Sequence, residues 1–181
     1  LHGDLEQGDG LRELGLGGYT NTSYPRGLAA LIADEPERYA VIDAGTNSIK
    51  FHIGELGPDG RWRTVIDRAE VTRLGEGLAQ QCLIIDAALE RTAAAIAGMV
   101  TEARQHGVRA IAAVGTAGLR IATNGDAVIA AIQERSGVHV EVISGEDESR
   151  LAYLAAKAGL GLKTGSLVVF DTGGGSSQFT F

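Results

Sequence analysis

Val41-Ile42-Asp43-Ala44-Gly45-Thr46-Asn47-Ser48 is the stretch on which the fold turns. A short apolar run, Ala40–Ile42, reaches an aspartate and then a cluster of small and polar residues, the pattern of a buried strand running into a tight turn. Downstream, Ile49–Glu55 sets Ile49, Phe51 and Ile53 against Lys50 and His52, an alternation that predicts a half-buried strand. Gly57-Pro58-Asp59-Gly60 marks a second turn, and Trp62–Leu74 reads as a third strand. Strand, turn, strand, turn, strand is an antiparallel meander.

Beyond the meander the period changes. Asp86 is placed to cap a helix running to Gln105, with Leu89, Thr92, Ala93, Ile96, Met99 and Val100 on one stripe and Gly107 at its end. Ala110–Val114 is a short strand, Asn124 or Asp126 caps a helix ending at Gly137, and Val138–Ile143 is a strand. Ser144–Ala158 is a helix and Leu167–Phe170 a strand. Helices alternating with strands after a meander predict an α/β fold, a mixed sheet with helical layers.

One internal echo stands out. Phe170-Asp171-Thr172-Gly173-Gly174-Gly175-Ser176 repeats the pattern apolar-Asp-x-Gly-x-x-Ser of the first turn, and again an alternating segment follows, Ser177–Phe181. The same hairpin device is used twice.

Composition narrows the function. The chain has 181 residues, 44% of them apolar and 22% charged, as in soluble globular proteins. Its formal charge is −7, which argues against a nucleic-acid binder. No apolar run approaches the length of a bilayer span, so no membrane partner is expected. A single cysteine, Cys82, excludes an internal disulfide framework and suits a reducing, cytoplasmic compartment. The glycine-rich residues 1–38 carry seven acids against three bases and no secretory pattern, and read as an extension or linker, with at most one helical turn at Leu28–Ala33. The chain opens on Leu1 and its sole methionine is Met99, as expected of a processed or excised piece or of a non-standard start.

Backbone N–H groups in glycine-permitted turns bind phosphate well. Gly45 with Thr46, Asn47 and Ser48 supplies one such turn, and Gly173, Gly174 and Gly175 with Ser176 supply another. Each has a strand-end aspartate, Asp43 or Asp171, and Mg²⁺ takes carboxylate and water oxygens alongside phosphate. The plainer alternative is that Asp-x-Gly is ordinary hairpin chemistry. Neither turn is a Walker loop, and no Gly-x-Ser-x-Gly elbow is present. Ser144-Gly145-Glu146-Asp147-Glu148-Ser149-Arg150-Leu151 opens a helix whose stripe of Leu151, Leu154, Ala155 and Ala158 is expected to be buried. Glu146 then points away, and Asp147 and Glu148 both remain candidates for a water-activating carboxylate. In Gly115-Thr116-Ala117-Gly118-Leu119-Arg120, Arg120 offers a fork of donors to a phosphate oxygen.

With these four segments in order, residues 39–181 resemble the exopolyphosphatase / guanosine pentaphosphate phosphohydrolase (Ppx/GppA) family of the actin-like ATPase superfamily. The Ile143-Ser144-Gly145 … Glu148-Ser149-Arg150-Leu151 segment separates it from kinases and chaperones that share the two hairpins. The resemblance implies an actin-like (ribonuclease-H-like) domain with a mixed sheet of about five strands, its first three antiparallel, flanked by helices. It implies Mg²⁺-dependent hydrolysis of terminal phosphate from polyphosphate or guanosine pentaphosphate. Glu148 matches the family's catalytic glutamate, Asp43 and Asp171 its metal positions, and Arg120 with the two turns its phosphate contacts. Such proteins commonly pair, so a homodimer is expected. Residues 1–38 have no counterpart. Two departures are visible: Gln178 stands where the family often carries Glu, and the family's second domain is absent, so the isolated piece is expected to be inactive. An actin-like sugar or carboxylate kinase, and a non-catalytic sensor of polyphosphorylated ligands, are the rival readings.

Overall fold

The computed structural model describes residues 36–161 and 164–181. Residues 1–35, including the turn expected at Leu28–Ala33, lie outside the described residues. The meander forms as the alternation predicts: β1 (Glu37–Ala44), β2 (Ser48–Leu56) and β3 (Trp62–Val71) pair antiparallel. Strand β1 starts within the segment read as an extension. Strand β3 stops three residues short of Leu74, because the N–H groups of Thr72 and Arg73 turn to donate to the Asn47 carbonyl. Leu74 itself is fully buried, so its apolar character serves the core instead of a ladder.

After a single turn, α1 (Leu78–Gln81), comes the long helix α2 (Asp86–Gln105). Its cap position is Ile85, not Asp86, which sits inside the first turn as a favourable charge against the helix dipole. Strand β4 (Ala110–Gly115) joins β1 in parallel, followed by α3 (Ala117–Ile121) and α4 (Gly125–Ser136). Asn124 occupies the α4 cap position, but its side chain is engaged elsewhere, bonding both the N–H and the carbonyl of Ile84. Strand β5 keeps only Val140–Val142 of the stretch expected to be strand. The resulting five-stranded sheet has the order β3-β2-β1-β4-β5.

Ala40, Ile42 and Ala44 from β1 and Ile49, Phe51 and Ile53 from β2 meet Ala93, Ile96, Met99 and Val100 of α2 in one core, which Val128 and Ile132 of α4 extend. Burying side chains of this size contributes roughly 1.5–3 kcal/mol each, which anchors the β1–β2 turn firmly.

The last elements are α5 (Gly145–Gly159), β6 (Val169–Thr172) and β7 (Ser177–Thr180). Strands β6 and β7 form a separate two-stranded sheet. Here the stripe reading of α5 is corrected: no residue of this helix is buried, and Leu151 and Leu154 are about half exposed. Among the described residues the helix packs mainly against β6 and β7, with Arg120 of α3 reaching Glu148, and this small hairpin leaves the Leu151–Ala158 stripe largely uncovered.

Candidate active site

The two echoed segments fold alike. In the first, Ala44 pairs with Ile49 and the Gly45 N–H donates to the Ser48 carbonyl at 3.1 Å, leaving Thr46 and Asn47 at the tip. In the second, Thr172 pairs with Ser177 and the Gly173 N–H donates to Ser176 at 2.9 Å, leaving Gly174 and Gly175 at the tip. The aspartates are also equivalent: Asp43 lies across from Lys50, and Asp171 across from Gln178.

Both turns line one cleft of about 300 Å³, together with Asp43, Asp171 and Glu148. A larger groove, about 480 Å³, lies between β3 and α2. Its arginines are already paired, Arg68 with Glu102 and Arg91 with Glu76, and none of the turn residues reaches it. The chemistry converges on the smaller cleft.

Helix α5 delivers Glu148. Ser144 caps it, accepting from the Asp147 N–H at 3.0 Å, and its hydroxyl donates to the Asp147 carboxylate at 2.7 Å. The cap therefore occupies Asp147, while Glu148, one residue on, lines the cleft. Helical spacing alone leaves these two carboxylates equivalent; the cap separates them. Arg120 donates to Glu148 Oε2 at 3.1 Å and to the Ile143 carbonyl at 2.6 Å. It stands behind Glu148 and is not among the residues lining the cleft, although the residue types at 116–120 suggest a direct phosphate contact.

Asp43 presents one oxygen to Lys50 Nζ at 3.5 Å, and its Oδ1 is buried without a protein partner. A buried, unpaired carboxylate oxygen is costly unless a cation or donor meets it. Among the described residues no three ligating side chains cluster in the manner of a dedicated metal cage. Mg²⁺ commonly uses one or two carboxylates and completes its shell with water and phosphate oxygens. Asp43 and Asp171 fit that need. Gln178, half-buried, donates its amide to Ser176 Oγ at 2.9 Å.

Three lining residues receive no role from the sequence: Lys50, which lies outside the motifs, and Thr116 and Thr172, which stand inside them. Lys50 had a signal: closing the hairpin at Gly45 puts it directly across from Asp43, on the face of β2 opposite Ile49 and Phe51. Thr116 opens the segment that carries Arg120, directly ahead of α3.

The sequence profile of the Ppx/GppA phosphatase family matches residues 57–181. Exopolyphosphatase 1 of Mycobacterium leprae is 27% identical over 79% of this chain and 42% of its own length. The crystal structure of the Aquifex aeolicus member of the Ppx/GppA family superimposes with a TM-score of 0.72 at 29% identity, over 80% of this chain and 47% of that one. An exopolyphosphatase from Cytophaga hutchinsonii gives 0.75 at 26% identity, over 79% of this chain and 46% of its own. The chain spans less than half the length of these relatives.

Proposed function

The chain belongs to the Ppx/GppA phosphatase family, and from that premise we propose that it supplies the phosphate-gripping half of a hydrolase acting on terminal phosphoanhydride bonds of inorganic polyphosphate or guanosine pentaphosphate. Its mixed sheet with flanking helices is the family's actin-like ATPase fold. The observation that carries the reading is convergence: two glycine turns, two strand-end aspartates and one helix-borne glutamate line a single cleft.

In this reading the backbone N–H groups of both turns, with the hydroxyls of Ser48 and Ser176, donate to the oxygens of a phosphate chain. Lys50 adds a positive charge at the same wall. Glu148 accepts a proton from water as the water oxygen attacks the terminal phosphorus; the bridging P–O bond breaks and the shortened chain leaves with its electron pair. Arg120 holds Oε2 of Glu148, which leaves Oε1 free to meet the water. Asp43 and Asp171 would hold Mg²⁺, which supplies charge neutralisation on the phosphate oxygens. The Mycobacterium leprae and Cytophaga hutchinsonii relatives, both named exopolyphosphatases, favour polyphosphate over the nucleotide as substrate.

The test is phosphate release from long-chain polyphosphate by the intact gene product. Glu148→Gln is expected to lower turnover by about 10²–10⁴-fold, the usual contribution of a general base, with the unfolding transition unchanged. Wild-type turnover in that variant removes Glu148 from the reaction, and ATP consumption that depends on an added sugar or carboxylate acceptor would replace hydrolysis with transfer.

A further inference from the structure

Glycine is required at a position by a left-handed backbone, by the close approach of a ligand, or by the close approach of another part of the protein. Gly174 and Gly175, at the tip of the second turn, do not have positive φ. Their surroundings supply the reason instead. A Cβ on Gly174 would stand 2.9 Å from Cβ of Asn47, and one on Gly175 would overlap Thr46 Oγ1, with Thr46 Cβ only 3.1 Å away. The tips of the two hairpins touch, and the tip with side chains fills the space left by the tip without them.

Thr46 meets two more segments. A Cβ on Gly118 in α3 would lie 3.1 Å from Thr46 Oγ1, and one on Gly75, after β3, would overlap Thr46 Cγ2. The Gly75 N–H also donates to the Thr46 carbonyl at 2.8 Å. Gly173 behaves differently: a Cβ there would meet only the Ser176 carbonyl at an ordinary 3.8 Å. Three glycines from three segments therefore close around one side chain.

We infer that Thr46 is a positioning residue: seated among Gly75, Gly118 and Gly175, its side chain sets the separation of the two turns and hence the width of the phosphate cleft. Glycine at 174 and 175 then answers to Asn47 and Thr46, not to the phosphate. The statement about cleft width rests on the proposed phosphate reading; the fit of Thr46 among the glycines does not. Width matters because N–H donors act on an oxyanion only within about 2.7–3.1 Å. Thr46 thus serves as a spacer between the turns as well as a member of the first one.

A double-mutant cycle on the full chain tests this, using Thr46→Gly, Gly175→Ala and the pair. It has two readouts: the thermal midpoint without ligand, and affinity for inorganic tripolyphosphate by calorimetry. Gly175→Ala alone is expected to lower the midpoint by about 3–6 °C and to weaken binding roughly tenfold or more. In the Thr46→Gly background, where the overlap is gone, both penalties should shrink to half or less. Thr46→Ala replaces Thr46→Gly if the latter does not fold. In a Thr46→Val background, where a branched side chain still fills the gap, the Gly175→Ala midpoint penalty should persist. Equal Gly175→Ala penalties in the Thr46 and Thr46→Gly backgrounds, or a penalty relieved as fully by Thr46→Val as by Thr46→Gly, would overturn the inference. If wild type does not bind tripolyphosphate, the phosphate reading falls, and the ligand-free midpoints still decide whether Thr46 and Gly175 are coupled.

Discussion

The two hairpins share register, closing hydrogen bond and aspartate position, yet they stand on different foundations. Beneath the first turn lie Ile42, Ile49, Phe51 and Ile53, each fully buried. Beneath the second, Phe170 and Phe179 stack on one another with centroids 4.4 Å apart and remain 56% and 69% exposed. The tips differ as well, Thr46-Asn47 against Gly174-Gly175, and so do the residues facing the aspartates, Lys50 against Gln178. One backbone device stands on a buried core with a lysine facing its aspartate on one side of the cleft, and on an exposed aromatic pair with a glutamine facing its aspartate on the other.

The largest expected difference is in stability. Phe51→Ala should cost about 3–5 kcal/mol by denaturant unfolding, the range for emptying a buried aromatic site, while Phe170→Ala should cost less than about 1 kcal/mol because its ring is already half in water. Comparable losses would mean that the hairpins are equally anchored.

The equivalent glycines should separate next. A Cβ on Gly45 would come within 2.8 Å of the Ser48 carbonyl, whereas one on Gly173 has ordinary room. Gly45→Ala is expected to cost about 1–3 kcal/mol through forced backbone adjustment. Gly173→Ala should leave the unfolding midpoint unchanged, so that any effect it has on polyphosphate affinity reports the ligand alone.

The facing residues sharpen the comparison further. Lys50→Gln makes the first hairpin resemble the second, removing the cation 3.5 Å from Asp43. Lys50 is well exposed, so the expected loss is about three- to tenfold in tripolyphosphate affinity at low salt, fading as ionic strength rises. An unchanged affinity would take Lys50 out of the cleft's chemistry.

The smallest effect concerns the frame beneath the first turn, where Arg68 of β3 donates from Nη1 and Nη2 to the two carboxylate oxygens of Glu102 of α2. That hydrogen-bonded pairing holds the Glu102 carboxyl below the usual carboxylate range. A carboxylate depressed in the folded state stabilises above its unfolded pKa and loses that contribution as pH falls through the folded value. Glu102→Gln should therefore lower stability by about 0.2–1 kcal/mol at neutral pH, and the gap to wild type should close on acidification below about pH 4. A pH-independent gap would assign the loss to packing.

What the residues alone disclose follows from range. The meander, the echo and α2 are short-range patterns and are readable directly: alternation along 49–55 and the stripe from Leu89 to Val100 each need only a window of a few turns. The two turns, their aspartates and Glu148 are readable as residue types, because strand-end aspartates and glycine turns announce themselves, whereas Lys50 is not, and Arg120 stands outside the lining. Three other features are not. The partnership of Arg120 with Glu148 joins two helices through the fold, and nothing near Arg120 signals it. The exposed stripe of α5 misleads because amphipathic spacing states that a face is apolar, not that anything among the described residues covers it. The glycines at 174 and 175 read as phosphate-turn residues, whereas their steric neighbours are Thr46 and Asn47, far upstream in sequence.

The claim on which the site depends is that both turns hold the same anion. An amide-resolved NMR titration of the chain with tripolyphosphate and Mg²⁺ addresses it directly. Signals of Gly45–Ser48 and of Gly173–Ser176 should shift together and fit one dissociation constant, in wild type and in Glu148→Gln alike. Movement of one turn only, or of the two with unrelated affinities, would contradict a shared cleft.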